Sequence, residues 1–440
     1  MKRFAACILI GVSCAGILFA QGEKEGTQST GKEVTLKYWA APLSNTEFSL
    51  GVWNKVIEGF TSETGVKVDV EILPWSDITK KATTAITSGD GPDLIGCGNN
   101  MSVQLAPTGA LLSLTPERMK KIGAWDNYYD AVIGVEGEDP VAIPLNVGTT
   151  VMVYNKEMFQ NIGVDSIPAD WDTFIKEAQQ LTKDVNGDGN PDVYGLGMFG
   201  KPTQSFKMFF NRFVQHGGQL LDADGVPGFN SPAGAATLRF IGDCIATYKI
   251  TPAVCAEWSQ DEMVNAFING QLASCTVDNE TITTLNHSSI AGKFGICELP
   301  YILPGKTTGI RCTSHTGGSD IGIFGATKHE EECLAFLAYV SRPEINREIA
   351  ESFNIIGSVR AVYAGRELDK QTAAEVAVLD HASVPMPMVP YFLPSINDSS
   401  LAVQNVMFAA AKGTLTDEFI AKELESLDAK VRENKRLAGY

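Results

Sequence analysis

Ile143-Pro-Leu-Asn-Val-Gly-Thr-Thr-Val-Met-Val-Tyr-Asn155, running on through Lys-Glu-Met-Phe159 to Ile167-Pro-Ala-Asp-Trp171-Asp-Thr-Phe174, is the stretch that decides the fold. Val147 to Tyr154 is apolar and β-branched behind a proline, which predicts a buried strand entered from a turn. A polar Asn155-Lys-Glu turn and a short helical piece follow, then a second proline. Beyond it Trp171, Phe174, Ile175, Ala178 and Leu181 share one helical face, the stripe of a helix that covers a sheet.

Upstream the same alternation begins earlier. Val34 to Trp39 reads as a strand, and Asn45 or Thr46 caps a helix with Val52, Val56, Ile57 and Phe60 on one face, ended by Gly65. Val66, Val68, Val70 and Ile72 alternate as a strand does. Ile78, Ala82, Ala85 and Ile86 mark a second helix, and Leu94-Ile95 opens a third strand. This β-α-β-α-β order implies an α/β fold with an open parallel sheet, which binds ligands beyond the carboxyl ends of its strands. Further on, Ser259 with Glu262 and Thr327 with Glu330 have capping-box spacing, and Ile420, Leu424, Leu427 and Val431 mark a long amphipathic helix.

At 440 residues, two domains are the default. Lys2 and Arg3 precede an apolar stretch from Phe4 to Ala20, so residues 1–20 read as a secretory signal cut after Leu18-Phe-Ala20, and 21–33 as a flexible polar leader. Cys14 behind Gly-Val-Ser offers a lipoprotein site as the alternative, but Gly11 stands where such sites carry a leucine-like residue. Removing residues 1–20 takes the net charge from −17 to −19. That balance argues against nucleic acid or an anionic membrane as partner. Seven scattered cysteines remain, with no C-x-x-C pair, so they read as buried free thiols.

Several motifs carry chemistry on other scaffolds. Gly195-Leu-Gly197-Met-Phe-Gly200 matches a dinucleotide fingerprint, but its apolar residues read as strand and Pro202 interrupts the required helix. Gly305-Lys306-Thr307 has Pro300 where a phosphate loop needs glycine. The five histidines have no metal spacing and no G-x-S-x-G elbow occurs, so no enzyme is indicated. Asp184, Asn186, Asp188, Asn190 and Asp192 place oxygen donors at alternate positions with Gly189 sixth, which suits a structural calcium ion, the alternative being a polar helix-to-strand turn; Gly195 stands where an EF-hand has glutamate. No cofactor is otherwise required.

The opening stretch resembles the first lobe crossing of bacterial extracellular solute-binding proteins, the sugar-binding family of import systems. Phe60-Thr-Ser-Glu-Thr-Gly65-Val-Lys-Val, Gly89-Asp-Gly-Pro-Asp93, Phe267-Ile-Asn-Gly270, Leu299-Pro300, Gly317-Gly318-Ser-Asp-Ile and Lys328 to Val340 follow in the family's order. The resemblance implies a two-lobed periplasmic-binding-protein fold, each lobe an open mostly parallel sheet flanked by helices. Carried over, lobe one is 33–145 plus 296–341 and lobe two 146–295 plus 342–440, with a hinge of two or three crossings. It further implies an exported monomer in the periplasm or outside the membrane that captures a carbohydrate and delivers it to the permease subunits of an ABC importer.

Sugars present many hydroxyls and weakly apolar ring faces, so their sites pair aromatic platforms with planar polar side chains. Trp39, Ser44, Asn45, Trp75, Asn99, Asn100, Asn146, Asp278, Asn279, Ser319, Asp320 and Tyr391 follow expected strands or sit near family crossings, and together they suggest a neutral, hydroxyl-rich ligand. The alternatives are a glycerol phosphate ester or a polyamine on the same scaffold, or a protein that presents its ligand to a sensor. An anionic ligand wants convergent Arg or Lys, in which these loops are poor.

Overall fold

The computed structural model describes residues 34–43, 46–123, 127–129, 138–202 and 205–440. The expected signal segment, the leader and Cys14 lie outside them. Two sheets organise these residues. The first has five strands in the order β2 (Lys67–Ile72), β1 (Thr35–Ala40), β3 (Leu94–Gly98), β10 (Ser319–Ile323) and β4 (Ala142–Pro144). The second has three, β7 (Ser274–Asp278), β6 (Thr150–Asn155) and β8 (Phe294–Cys297). Two short pairs stand apart: β5 (Asn146–Val147) with β11 (Ile356–Gly357), and β9 (Ser314–Thr316) with β12 (Ser383–Pro385).

Alternation along β1 sets the first lobe's layers. Leu36, Tyr38 and Ala40 face a core shared with Trp53, Val56 and Phe60 of the Thr46–Thr64 helix and with Phe336 and Leu337 of the Glu330–Val340 helix. Edge-on aromatic pairs at 5.1 Å, Tyr38 with Trp53 and Phe60 with Phe336, lock that face. The opposite face carries Ile95 and Cys97 under Ile78, Ala82 and Ala85 of the Trp75–Ser88 helix. In the second lobe the expected stripe is buried: Phe174, Ala178 and Leu181 join Phe206, Phe209, Phe213 and Phe229. The C-terminal helix Asp417–Leu437 seals this core with Ile420, Leu424, Leu427 and Val431.

The decisive stretch is not one strand. β5 ends at Val147, and β6 starts at Thr150 in the other sheet. Between them Gly148 and Gly317 exchange N–H···O bonds of 2.8 and 3.0 Å, so two chain segments cross side by side. Gly318 has φ 145°, and a Cβ there would lie 2.2 Å from the Asn146 carbonyl oxygen, so no other residue fits the crossing.

The expectation of a mostly parallel sheet in each lobe holds for the first and fails for the second. β1, β2, β3 and β4 run one way with β10 against them, whereas β6 is antiparallel to both neighbours. The reason is the crossing itself: a strand that enters its lobe from the hinge runs away from it, while the others run toward it. β10 does this in the first lobe and β6 in the second.

The carried-over boundaries also shift. Leu299 and Cys312 pack in the second lobe's core, where Gln215 Nε2 donates to the carbonyls of Pro300 and Cys312 at 3.2 and 2.7 Å. The Pro343–Phe353 helix buries Ile349, Ala350 and Phe353 in the first lobe's core, with Val359 and Val362 behind it. The second lobe therefore keeps the chain past 296, and the first keeps it past 341.

Local motifs divide. The Ser259–Glu262 capping box forms in both directions. The expected Thr327–Glu330 box does not: Thr327 Oγ1 donates to Asp93 Oδ1 at 2.6 Å, and Glu330 pairs with Arg118 at 2.7 Å. The apparent dinucleotide glycines serve close packing, since a Cβ on Gly195 or Gly200 would meet the Ala178 or Ala256 carbonyl oxygen at 2.3 or 2.5 Å. All seven described cysteines are free, and six are buried.

Candidate functional site

The hinge ends of the two sheets converge on a strip of polar groups. On the second lobe's side, Asp278 ends β7 and Lys207 is the second residue of the Phe206–Gln215 helix; the two form an ion pair. Their side chains are 20% and 22% exposed, so the pair reaches the surface of the strip. Burial pushes the Asp278 carboxyl up, but the Lys207 charge and hydrogen bond outweigh it and hold it below the usual range. His315 of β9 stands behind, edge-on to Phe210 at 6.3 Å. Burial, with Lys207 adding, pulls it down to about 4, so it is neutral at neutral pH. Its Nδ1 and the Oγ1 atoms of Thr149 and Thr313 are buried without a hydrogen-bond partner among the described residues.

On the first lobe's side, Asn99 opens the Asn99–Leu105 helix and donates its backbone N–H to Gly318 O at 3.3 Å; its Oδ1 is buried without a partner among the described residues. Asn146 Oδ1 accepts from Ser319 N–H at 3.0 Å, tying β5 to β10, while its Nδ2 has no partner among the described residues. Asp320 accepts from Ser102 Oγ at 2.8 Å through Oδ1, and Oδ2 has no partner among the described residues. Burial drives its carboxyl up to about 7, which the hydrogen bonds from Ser102 and Cys97 only partly offset. Across the hinge Glu375 of the Lys370–His381 helix is likewise pushed up to about 7 by burial. Asn279, beside Asp278, lies next to that carboxyl, with neither amide atom in hydrogen-bond geometry among the described residues.

Six of the expected ligand residues therefore meet at the hinge: Asn99, Asn146, Asp278, Asn279, Ser319 and Asp320. Trp39 does not join them. Strand alternation that turns Tyr38 to the core turns Trp39 to the face under the Trp75–Ser88 helix, where its ring lies 5.4 Å from Lys81 Nζ. Tyr391 is not an aromatic platform either: it is 4% exposed, donates to Gly225 O at 2.6 Å and packs on Tyr440 at 5.6 Å. Ser44 and Asn45 lie outside the described residues, as do the side chains of Trp75 and Asn100, which stand at the starts of their helices. Lys207 and His315 went unread in the sequence. Lys207 did leave a signal, as the lone charge in the run from Phe206 to Phe210.

At 184–192 the oxygen donors close a tight loop. Asp184 accepts from Gly187 N–H and Gly189 N–H at 2.6 and 2.8 Å, and Asp192 Oδ2 from Val185 N–H and Asn186 N–H at 2.7 and 3.0 Å. Those amide bonds, Gly189's first, hold the Asp184 carboxyl below its usual range. Among the described residues no group of three or more His, Cys, Asp or Glu is gathered so as to hold a metal; the donors here mix carboxylate and amide oxygens.

Two α/β lobes joined by crossing strands, with a polar strip at the hinge, define a two-lobed binding protein. The family model for bacterial extracellular solute-binding proteins matches residues 49–347, and the chain belongs to that family. Membership places its work outside the cytoplasmic membrane. A probable amino-acid ABC transporter periplasmic-binding protein of Sinorhizobium fredii is 24% identical over 416 residues, 90% of this chain and 89% of the relative. The diacetylchitobiose-binding protein DasA of Streptomyces coelicolor is 24% identical over 438 residues, 97% of this chain and 95% of its own. Among solved structures, the sugar-binding protein MalE of Xanthomonas citri superposes with a TM-score of 0.76 at 19% identity, over 92% of this chain and 99% of that one.

Proposed function

We propose that this protein captures a carbohydrate between its lobes and hands it, unchanged, to an ATP-driven permease in the membrane. One observation carries the reading: buried amide and hydroxyl groups without partners among the described residues, from Asn99, Asn146, Thr149 and Asn279, stand at the hinge ends of both sheets. Such groups are costly until a ligand supplies their hydrogen bonds, and hydroxyls do so without adding charge. Relatives whose names specify diacetylchitobiose and arabinooligosaccharide support the class. A ligand that touches both lobes only when they close shifts the hinge equilibrium by that differential contact. The exported form begins at Gln21, and intact-mass analysis checks it: a lipid-modified mass starting at Cys14 would replace that reading.

A panel of mono- and oligosaccharides tests the ligand class by thermal unfolding. Ligand at a hundredfold its dissociation constant adds about 2.7 kcal/mol, so at least one sugar raises the melting temperature. A panel in which amino acids, phosphate esters or polyamines do so and no sugar does would reject it. A ligand with an anionic group is the second reading, favoured by Lys207 at the strip and by the amino-acid transporter relative. The 184–192 loop is proposed to take calcium as a structural ion, because its donor set is all oxygen and its spacing wraps a hard cation.

A further inference from the structure

A second cavity lies at the far end of the Phe206–Gln215 helix. Arg212 is five residues beyond Lys207, about 7.5 Å along the axis and about 140° around it, so it faces away from Asp278. Its guanidinium carbon lies 3.8 Å from the centre of the Phe240 ring and 5.2 Å from that of Trp171. Nε and Nη1 are buried and have no hydrogen-bond partner among the described residues, and the same holds for Nε2 of His216, which caps the helix. Burial pulls Arg212 down to about 10 and His216 to about 4, the Arg212 charge adding to the second. At neutral pH the first is a cation and the second is not.

Both residues border a cavity of about 210 Å³. Two carboxylates share its rim, and each is already engaged: Asp172 pairs with Lys306 at 2.5 Å, and Asp170 accepts from Thr173 N–H at 3.0 Å as the cap of the Trp171–Leu181 helix. Arg212 makes no ion pair among the described residues. A guanidinium held by ring faces alone keeps part of its desolvation cost, and an anion in the cavity would offset it. The rim carboxylates disfavour a dianion, and Trp171, Tyr301 and Leu303 add apolar wall.

We propose that this cavity is a second ligand site, separate from the hinge, for a small monocarboxylate. Its carboxylate rests on the Arg212 guanidinium with neutral His216 Nε2–H as a further donor, and its short apolar tail lies on Trp171 and Leu303.

Calorimetric titration with sodium butyrate at pH 7, against sodium chloride and sodium phosphate at matched ionic strength, tests it. Butyrate binds saturably and tighter than phosphate, and chloride does not bind. Arg212→Met lowers butyrate affinity at least about tenfold, as loss of a charged hydrogen bond does. Leu303→Trp fills the cavity while keeping Arg212, and abolishes the binding; it decides alone if the arginine variant fails to fold. No saturable heat in the unmodified protein, phosphate or chloride matching butyrate, or butyrate binding that survives Leu303→Trp overturns the site.

Discussion

Asp278 and Asp320 sit at the hinge end of one sheet each, yet the protein treats them oppositely. Asp278, last in β7, has a lysine, and its carboxyl is held low; Asp320, second in β10, has a serine and a thiol, and burial lifts it to about 7. The first is a charge kept at the surface of the strip, and the second a carboxyl inside a lobe that burial leaves only part ionised at neutral pH. Sequence position alone made them equivalent. What separates them is whether a cation from a neighbouring helix reaches the same spot.

The largest effect expected from this difference is on stability against pH. A carboxyl with a folded value near 7 and an unfolded value near 4 is protonated only in the native state between those limits. Asp320 therefore supports the fold fully below about pH 4 and loses that support up to about pH 7, by at most roughly 4 kcal/mol. His315 acts in reverse: held near 4, it binds its proton more readily when unfolded, so its contribution falls as pH drops below about 6.5. The two partly cancel in the unmodified protein, and Glu375 adds a slope of the same sign as Asp320. Comparing urea midpoints of the protein and Asp320→Asn from pH 5 to 8 isolates the carboxyl. The variant gains relative stability as pH rises; parallel profiles would mean Asp320 is ionised in the fold.

Asp278 is expected to matter for ligand instead. Asp278→Asn removes a charged acceptor from the strip and should weaken the best sugar of the thermal panel by about 1.5–3 kcal/mol, read by calorimetric titration. Lys207→Met should act the same way with no additive loss in the double variant, because the two form one unit. Full additivity would separate the residues and end the contrast with Asp320. Tyr391→Phe, remote from both carboxylates, should cost about 1 kcal/mol of stability through its lost bond to Gly225 and leave affinity unchanged.

The frame was legible where periodicity and local chemistry agree. Leu36, Tyr38 and Ala40, the Phe174, Ala178 and Leu181 positions of the helical stripe, and the Ile420–Val431 face bury as their spacing dictates, with Trp171 and Ile175 half-buried at the stripe's edge. Periodicity hid the crossing at Gly148, which only the family resemblance placed, at 145/146, since an apolar run reads as one strand whether it stays in one sheet or passes to another. The reversed direction of β6 follows from that crossing and was hidden with it. Asn99, Asn146, Asp278, Asn279 and Asp320 stand at the hinge because they lie at strand ends and strand ends meet there. Trp39 and Tyr391 do not, because a side chain's face is set by alternation and by long-range packing, the latter through Gly225 and Tyr440. Lys207 lies on a helix that only the fold brings beside Asp278.

The smallest effect concerns a third set of carboxylates, which neither pair with a cation nor sit in a core. Asp184 is exposed, Asp192 is half-buried, and both already accept backbone amides, so the loop holds its shape without an ion and calcium has little folding left to drive. An exposed extracellular calcium module binds with a dissociation constant on the order of 0.1–1 mM, which at 1 mM calcium adds about 0.4–1.4 kcal/mol. In a chain this long that moves the melting temperature by about a degree. Scanning calorimetry with 1 mM calcium and with chelator should resolve such a rise, and Asp184→Asn should abolish it. Equal temperatures in calcium and chelator would leave the amide bonds as the whole account of the loop, and would leave Asp278 as the carboxylate here whose charge is matched by a cation.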